Sequence, residues 1–222
     1  MISIVLADDQ PLIRSALSRL IEQESDLQLV ASAADGRSAV AAAVRTTPDV
    51  VILDIRMPDV DGIRACQLIR AEPSLAGTRV LMLTTFEDED NVVRSIRAGA
   101  SGFIGKASEP AEIFAAIRAV ARGEALLSPR AAQALITRFV ESSGDAGTEA
   151  EDLDSLTPRE RGILVLVAEG MSNDQIATAL SISRATVKTH VNHAMVKLSA
   201  HSRAQLVIIA LRHGLRRTAA AS

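Results

Sequence analysis

The chain has 222 residues, 48% hydrophobic and 23% charged, with a formal net charge of -3. That balance suits one large or two modest globular domains and excludes a wholly disordered chain. With no Trp, no Tyr and four Phe, stacking of bases or flat ligands on aromatic rings is a poor basis for its function. Cys66 is the lone cysteine, which excludes an intrachain disulfide, fits a reducing cytoplasm and reads as a packed thiol in an apolar stretch.

The first half alternates short apolar runs with helical patterns. Ile2–Ala7, Gln28–Ala33, Val50–Leu53, Val80–Leu83 and Gly102–Ile104 read as strands; nearly continuous apolar strands are expected in a parallel sheet covered on both faces. Between them lie amphipathic segments. Leu12, Ile13, Ala16, Leu17, Leu20 and Ile21 form one expected apolar stripe, and Ile113, Phe114, Ile117, Val120 and Ala121 another. Five repetitions of strand then helix predict a doubly wound α/β domain with a five-stranded parallel sheet over residues 1–123.

A linker over 124–153 follows, with a helix predicted near 129–140 after the Ser128 cap. Its second half, Glu141–Asp154, is small, polar and acidic without apolar periodicity. From 154 to 222 the strand signals vanish and four helices are predicted, making a small all-α domain. Thr157-Pro158-Arg159-Glu160 has capping-box spacing, and Ser172, Ser183 and Ser202 are candidate caps of the next three helices. The second and third are separated by only a couple of residues, which is helix-turn-helix spacing. No secretory leader is expected, because Met1–Leu6 leads at once to Asp8 and Asp9. No apolar run approaches the roughly 20 residues that span a bilayer, so a cytoplasmic location is expected.

Charge separates the two halves. Residues 1–125 hold 13 basic and 18 acidic side chains, 126–154 hold 2 and 6, and 155–222 hold 9 and 3. A basic C-terminal module on an otherwise acidic chain predicts an anionic partner for that module alone.

In a parallel α/β sheet, functional residues gather at the carboxyl ends of the strands. Asp8 and Asp9 end the first predicted strand, Asp54 and Thr84 follow the third and fourth, and Lys106 follows the fifth. Three carboxylates brought together repel and need a cation. Oxygen-only ligands favour Mg²⁺, which keeps several waters and bridges to phosphate. Lys106 suits phosphoryl oxygens by charge and the Thr84 hydroxyl by hydrogen bonding. A carboxylate nucleophile can then accept a phosphoryl group as an aspartyl phosphate.

These residues carry a resemblance. The Asp8-Asp9 pair, Asp54-Ile55-Arg56-Met57-Pro58-Asp59 with Asp61-Gly62, Leu83-Thr84-Thr85, and Gly99 to Lys106 are similar to the motifs of receiver domains in two-component response regulators. The resemblance implies that Asp54 takes phosphate from a histidine kinase. It also implies that Asp9, Asp54 and the Arg56 backbone carbonyl bind Mg²⁺, with Asp8 helping through water. Thr84 and Phe103 would form a switch pair reporting phosphorylation to the outer surface. Two positions depart from the common pattern: Ala107 stands where many receivers have Pro, and Phe103 where others have Tyr.

The third C-terminal helix carries Arg184, Thr186, Lys188, Thr189, His190, Asn192, His193 and Lys197, with Ile182, Val187, Val191, Met195 and Leu198 able to face a core. A helix with such an exposed face, after a short helix and tight turn, suits the major groove of double-stranded DNA. Leu156 to Glu160, Ala168 to Asn173, Ile176-Ala177 and Ser183 to Val191 resemble the LuxR-type DNA-binding domain; with the receiver, the whole resembles the NarL/FixJ class. That resemblance implies base contacts by Lys188, Thr189 and Asn192, and phosphate contacts by Ser183, Thr186, Lys197 and Arg203. It also implies a homodimer on phosphorylation, for which the apolar Leu206–Leu211 segment of the last helix is one candidate surface and ordinary core packing the competing use. The four histidines share no ligand spacing with Cys or carboxylates and are not expected to hold a metal.

The expected function is a transcriptional response regulator, not an enzyme. A hydrolase working through an aspartyl phosphate would need a second carboxylate where Arg56 stands. A receptor for a small diffusible ligand would need an aromatic-lined pocket that this composition does not supply. A phosphorylation-independent DNA-binding factor with a vestigial or unused receiver site stays open as the alternative.

Overall fold

The computed structural model describes residues 1–84, 89–124 and 153–215. The chain forms two compact units, divided within the undescribed span 125–152. The helix expected near 129–140 lies outside the described residues.

The first unit runs β1 (Ile2–Ala7), α1 (Pro11–Glu22), β2 (Leu27–Ala33), α2 (Gly36–Thr46), β3 (Val50–Asp54), α3 (Gly62–Ala71), β4 (Arg79–Thr84), α4 (Glu89–Arg97), β5 (Gly102–Gly105) and α5 (Pro110–Ala121). The five strands pair in parallel in the order β2-β1-β3-β4-β5. Each connection crosses back over the sheet through a helix, so all carboxyl ends lie along one edge. Every residue of β3 is buried, as a central strand covered on both faces requires. Ile4, Leu6, Ile52, Leu81 and Leu83 pack with Leu17 and Ile21 of α1 and Ile113, Phe114 and Ile117 of α5.

One expected stripe is corrected. Ile13, Leu17, Leu20 and Ile21 pack inward, but Leu12 is 83% exposed and Ala16 is also exposed. At about 100° per residue, a face centred on 17 and 21 carries positions 12 and 16 round toward solvent.

The second unit comprises a single 3₁₀ turn (Leu153–Ser155) and α6 (Pro158–Ala168), α7 (Asn173–Leu180), α8 (Arg184–Lys197) and α9 (Arg203–Arg212). The predicted caps form. Thr157 and Glu160 close a reciprocal capping box on α6, as do Ser172 and Gln175 on α7. Ser183 and Ser202 accept from the backbone of Thr186 and Gln205. Ser181, in the left-handed region at φ 51°, ends α7 and allows α8 to start within three residues. Ile163, Leu164, Val167, Ile176, Val187, Val191 and Leu198 form the core. Of the apolar segment in α9, Leu206, Ile209 and Ala210 belong to this core, while Val207, Ile208 and Leu211 are half-buried. No helix among the described residues is long and apolar enough to cross a membrane.

Candidate functional site

The parallel sheet brings the expected polar residues to one edge. Asp8 follows β1, Asp54 ends β3, Thr84 ends β4 and Lys106 follows β5. Asp8, Asp54 and Thr84 are buried, whereas Asp9 is exposed. Carboxylate oxygens of Asp8, Asp9 and Asp54 lie within 4.8 Å of one another. The Lys106 side chain, 4% exposed, puts Nζ 2.7 Å from Asp8 Oδ2 and 2.9 Å from Asp54 Oδ2. Lys106 is fixed there because its backbone N–H donates to the Thr84 carbonyl at 2.7 Å, extending the β4–β5 ladder by one residue.

Charge does not balance in this pocket. One ammonium faces three carboxylates, and both Asp8 Oδ2 and Lys106 Nζ are buried without a well-aligned hydrogen bond. The contact is therefore an ion pair whose hydrogen-bonding capacity is not saturated. Burial pushes the Asp54 carboxyl above its ordinary value; the contact with Lys106 opposes the rise and the charge of Asp8 adds to it. Burial by itself would lower the Lys106 ammonium, but Asp8 and Asp54 together outweigh it and hold it raised. A hard divalent cation with oxygen ligands fits this donor set, because it supplies the missing positive charge and uses the unsatisfied oxygen of Asp8. Receiver domains typically bind Mg²⁺ at an acidic pocket of this kind.

The loop from β3 to α3 is held close to Asp54. Ile55 N–H donates to the Leu83 carbonyl at 3.2 Å, and Gly62 N–H to the Ile55 carbonyl at 2.9 Å. A Cβ at position 62 would lie 2.0 Å from the Asp54 carbonyl oxygen, so only glycine allows this return. Asp61 does not join the carboxylate cluster; it caps α3 by accepting from Arg64 N–H at 2.6 Å. Phe103 is 4% exposed and pairs in register with Met82, two residues before Thr84, so Phe103 and Thr84 belong to the same face of the sheet.

Sequence reasoning missed several contributors. Gln10 N–H fixes Asp8 Oδ1 at 2.9 Å. Asn91 and Arg94 of α4 line a cavity of about 510 Å³ together with Asp9, Arg56, Met57, Pro58 and Asp61. Only the fold brings α4 beside that loop, and no spacing signal in the sequence marks either residue.

In the second unit, Ser183, Arg184, Thr186, Lys188 and Thr189 are exposed on the first turns of α8, and Asn192 is half-buried further along. Arg184 Nε lies 3.4 Å from Asp174 Oδ1, linking α8 to α7. Thr189 Oγ1 donates to the Ala185 carbonyl at 3.1 Å. Two residues expected near phosphates have partners within the unit. Arg203 is 7% exposed; its Nη1 donates to Asn173 Oδ1 at 2.7 Å and its Nη2 to the Met171 carbonyl at 2.5 Å. It braces the α6–α7 turn from inside because the guanidinium fork satisfies two buried acceptors at once. Lys197 donates to Glu160 Oε2 at 2.7 Å, so its charge is matched within the unit. Glu160 also accepts from Thr157 N–H at 2.8 Å, and these contacts, led by that with Lys197, bring its carboxyl down to about 2. His190 turns Nδ1 inward without a partner, whereas His193, His201 and His213 are exposed.

A doubly wound unit with an acidic, lysine-bridged edge, followed by a helix-turn-helix unit, defines a regulator that joins a receiver-type unit to a DNA-binding module. Residues 4–118 match the response regulator receiver domain, and residues 154–210 match the luxR family of bacterial regulatory proteins. The chain is 38% identical to the transcriptional regulatory protein LiaR of Bacillus subtilis over 215 residues, covering 97% of this chain and 99% of LiaR. It is 35% identical to the response regulator protein VraR of Staphylococcus aureus over 214 residues, covering 96% and 98%. Among solved structures it is similar to the response regulator ChrA of a heme-sensing two-component system, at 34% identity and a TM-score of 0.51, covering 96% of this chain and 98% of that one. The chain belongs to the two-component response regulators that join a receiver domain to a LuxR-type DNA-binding domain, a family of transcriptional regulators and not of catalytic enzymes.

Proposed function

We propose that Asp54 accepts a phosphoryl group from a histidine kinase and that this modification controls binding of the second unit to double-stranded DNA. The observation that carries the reading is the buried Lys106 bridge between Asp8 and Asp54, in a pocket with more carboxylates than cations. A structural ion pair needs no such surplus, whereas a site awaiting a cation and a phosphoryl group does. Asp9, Asp54 and the Arg56 carbonyl would hold Mg²⁺, with Asp8 assisting. Bound there, Mg²⁺ neutralises charge on the phosphoryl oxygens.

Asp54 supplies the nucleophilic oxygen. Lys106 is already within ion-pair distance of it and moves its charge onto a phosphoryl oxygen as the carboxylate becomes an acyl phosphate. The Thr84 hydroxyl donates to a second phosphoryl oxygen. Drawn toward the phosphate, Thr84 vacates space on the sheet face it shares with Phe103, whose ring reports the event toward α4 and α5. The receiver occupies 1–123, the linker 124–153 and the DNA-binding module 154–222. Ser183 and Thr186 contact phosphates, and Lys188, Thr189 and Asn192 reach base edges. Lys197 and Arg203 support α8 instead of touching DNA. The phosphorylated protein is a cytoplasmic homodimer on a repeated site.

The test is intact mass and sedimentation of the full chain after incubation with Mg²⁺ and acetyl phosphate. Wild type gains one phosphoryl group, dimerises and binds its operator more tightly, while Asp54→Asn does none of these. Operator binding that is equal before and after phosphorylation favours the phosphorylation-independent reading. Lys188→Gln weakens operator binding by about 1–3 kcal/mol and relaxes the sequence preference at the base pair it reads.

A further inference from the structure

An anionic phosphodonor faces an electrostatic obstacle in this molecule. Asp8, Asp9 and Asp54 present three carboxylates, and Lys106, the cation among them, is 4% exposed and already engaged with two of them. A dianion approaching from solvent therefore meets net negative charge before it reaches the Lys106 ammonium. Arg94 is exposed on α4 and lines the cavity of about 510 Å³ that Asp9 and the Arg56–Pro58 loop also line. Among the described residues no carboxylate forms an ion pair with it. Asn91, one helical turn earlier on α4, lines the cavity too and adds an amide to the same wall.

We infer that the cavity between α4 and the β3–α3 loop is the docking site of the anionic phosphodonor, with Arg94 as the residue that draws the dianionic phosphoryl group in. The inference rests on Asp54 being the phosphoacceptor and adds where the donor is captured and by what. With acetyl phosphate, a bond forms between an Asp54 carboxylate oxygen and phosphorus. The bond from phosphorus to the acyl oxygen breaks, and acetate leaves with that electron pair, so charge and atoms balance. Arg94 makes no bond in this step. Its contribution, beside the exposed guanidinium of Arg56 on the same cavity, is to raise the local donor concentration against the repulsion of the carboxylates. Because the guanidinium is exposed, its attraction is screened by salt, with a Debye length of about 10 Å at 0.1 M and about 3 Å at 1 M.

The experiment measures the initial rate of Asp54 phosphorylation in the full-length protein by intact mass, with subsaturating acetyl phosphate and saturating Mg²⁺. Wild type, Arg94→Gln and Arg94→Lys are compared at low and at high ionic strength, and again with phosphoramidate, a donor of lower negative charge. At low salt Arg94→Gln slows the acetyl phosphate reaction about fivefold, the size expected for one lost steering charge. Arg94→Lys retains most of the rate, the loss shrinks toward nothing at high salt, and phosphoramidate is affected less. Aspartyl phosphate lifetime and melting temperature stay at their wild-type values, since Arg94 touches neither the acyl phosphate nor the core. A wild-type rate for Arg94→Gln at low salt overturns the inference. An equal loss with both donors at every salt concentration overturns it too, because that pattern belongs to a distorted pocket. Wild-type protein that takes up no phosphoryl group from either donor overturns the phosphoacceptor reading itself, a result distinct from both.

Discussion

Each unit of this protein sets a lysine against a buried carboxylate, and the two contacts differ in a way that separates function from structure. In the second unit the match is one to one: Lys197 meets Glu160 at 2.7 Å, and Glu160 satisfies the α6 cap with the same oxygen. In the first unit Lys106 faces Asp8 and Asp54 with Asp9 close by, and two of the buried polar atoms lack an aligned hydrogen bond. A matched pair holds helices together; an unmatched buried one stores electrostatic repulsion that a ligand can relieve. The same chemistry thus marks a brace in one place and a site in the other.

The largest effect that tests this contrast comes from the cation. Mg²⁺ at about 100 times its dissociation constant stabilises a protein that binds it only when folded by about 2.7 kcal/mol. The gain appears as slowed amide exchange in residues 1–123 and is absent from 154–215. Asp9→Asn abolishes it while leaving the metal-free stability near wild type, because Asp9 is exposed. Equal protection of both units by Mg²⁺ would break the comparison.

Glu160→Gln probes the matched pair and has the opposite sign. It leaves Lys197 without its carboxylate and weakens the capping box, costing the second unit about 2 kcal/mol. The pH dependence follows from the same carboxyl, which stands near 4.5 unfolded and at about 2 folded. A lowered folded value means stability that is present above 4.5 and lost as pH falls from there toward 2. In wild type, exchange in 154–215 accelerates over that window; in Glu160→Gln the corresponding part of the slope is missing. With no Trp or Tyr to report unfolding by fluorescence, calorimetry and peptide-resolved exchange are the suitable readouts.

Much of this was legible from the residues. The apolar runs placed all five strands to within a residue at each end, because a covered parallel sheet leaves little choice of side chain. Asp8, Asp54, Thr84 and Lys106 could be assigned to one edge because strand ends of a parallel sheet share an edge whatever the loops do. The rest depended on partners distant in sequence. The resemblance set Lys197 and Arg203 near phosphates, and only tertiary packing shows Glu160, 37 residues away, and Asn173, 30 away, as their partners within the unit. Leu12 read as core because it continues an apolar series; the helix turns it outward, leaving it 83% exposed. Arg94 gave no signal, since a lone arginine on an amphipathic helix is ordinary until the fold sets it in one cavity with Asp9.

The smallest predicted effect is also the sharpest discriminator. Asp8→Asn keeps the oxygen that accepts from Gln10 N–H and leaves Lys106 its contact with Asp54, while removing one of three mutually repelling charges from a position with no solvent exposure. In a pocket built for stability, deleting a partner of a buried lysine would destabilise the unit. In a pocket where negative charge is in surplus, it stabilises the metal-free protein by about 1 kcal/mol, since burial of like charges is relieved. Calorimetry without Mg²⁺ decides between these signs. A rise in the melting temperature of the first unit, together with a weakened response to Mg²⁺, supports the surplus; a fall would place Asp8 and Lys106 in the same class as Glu160 and Lys197.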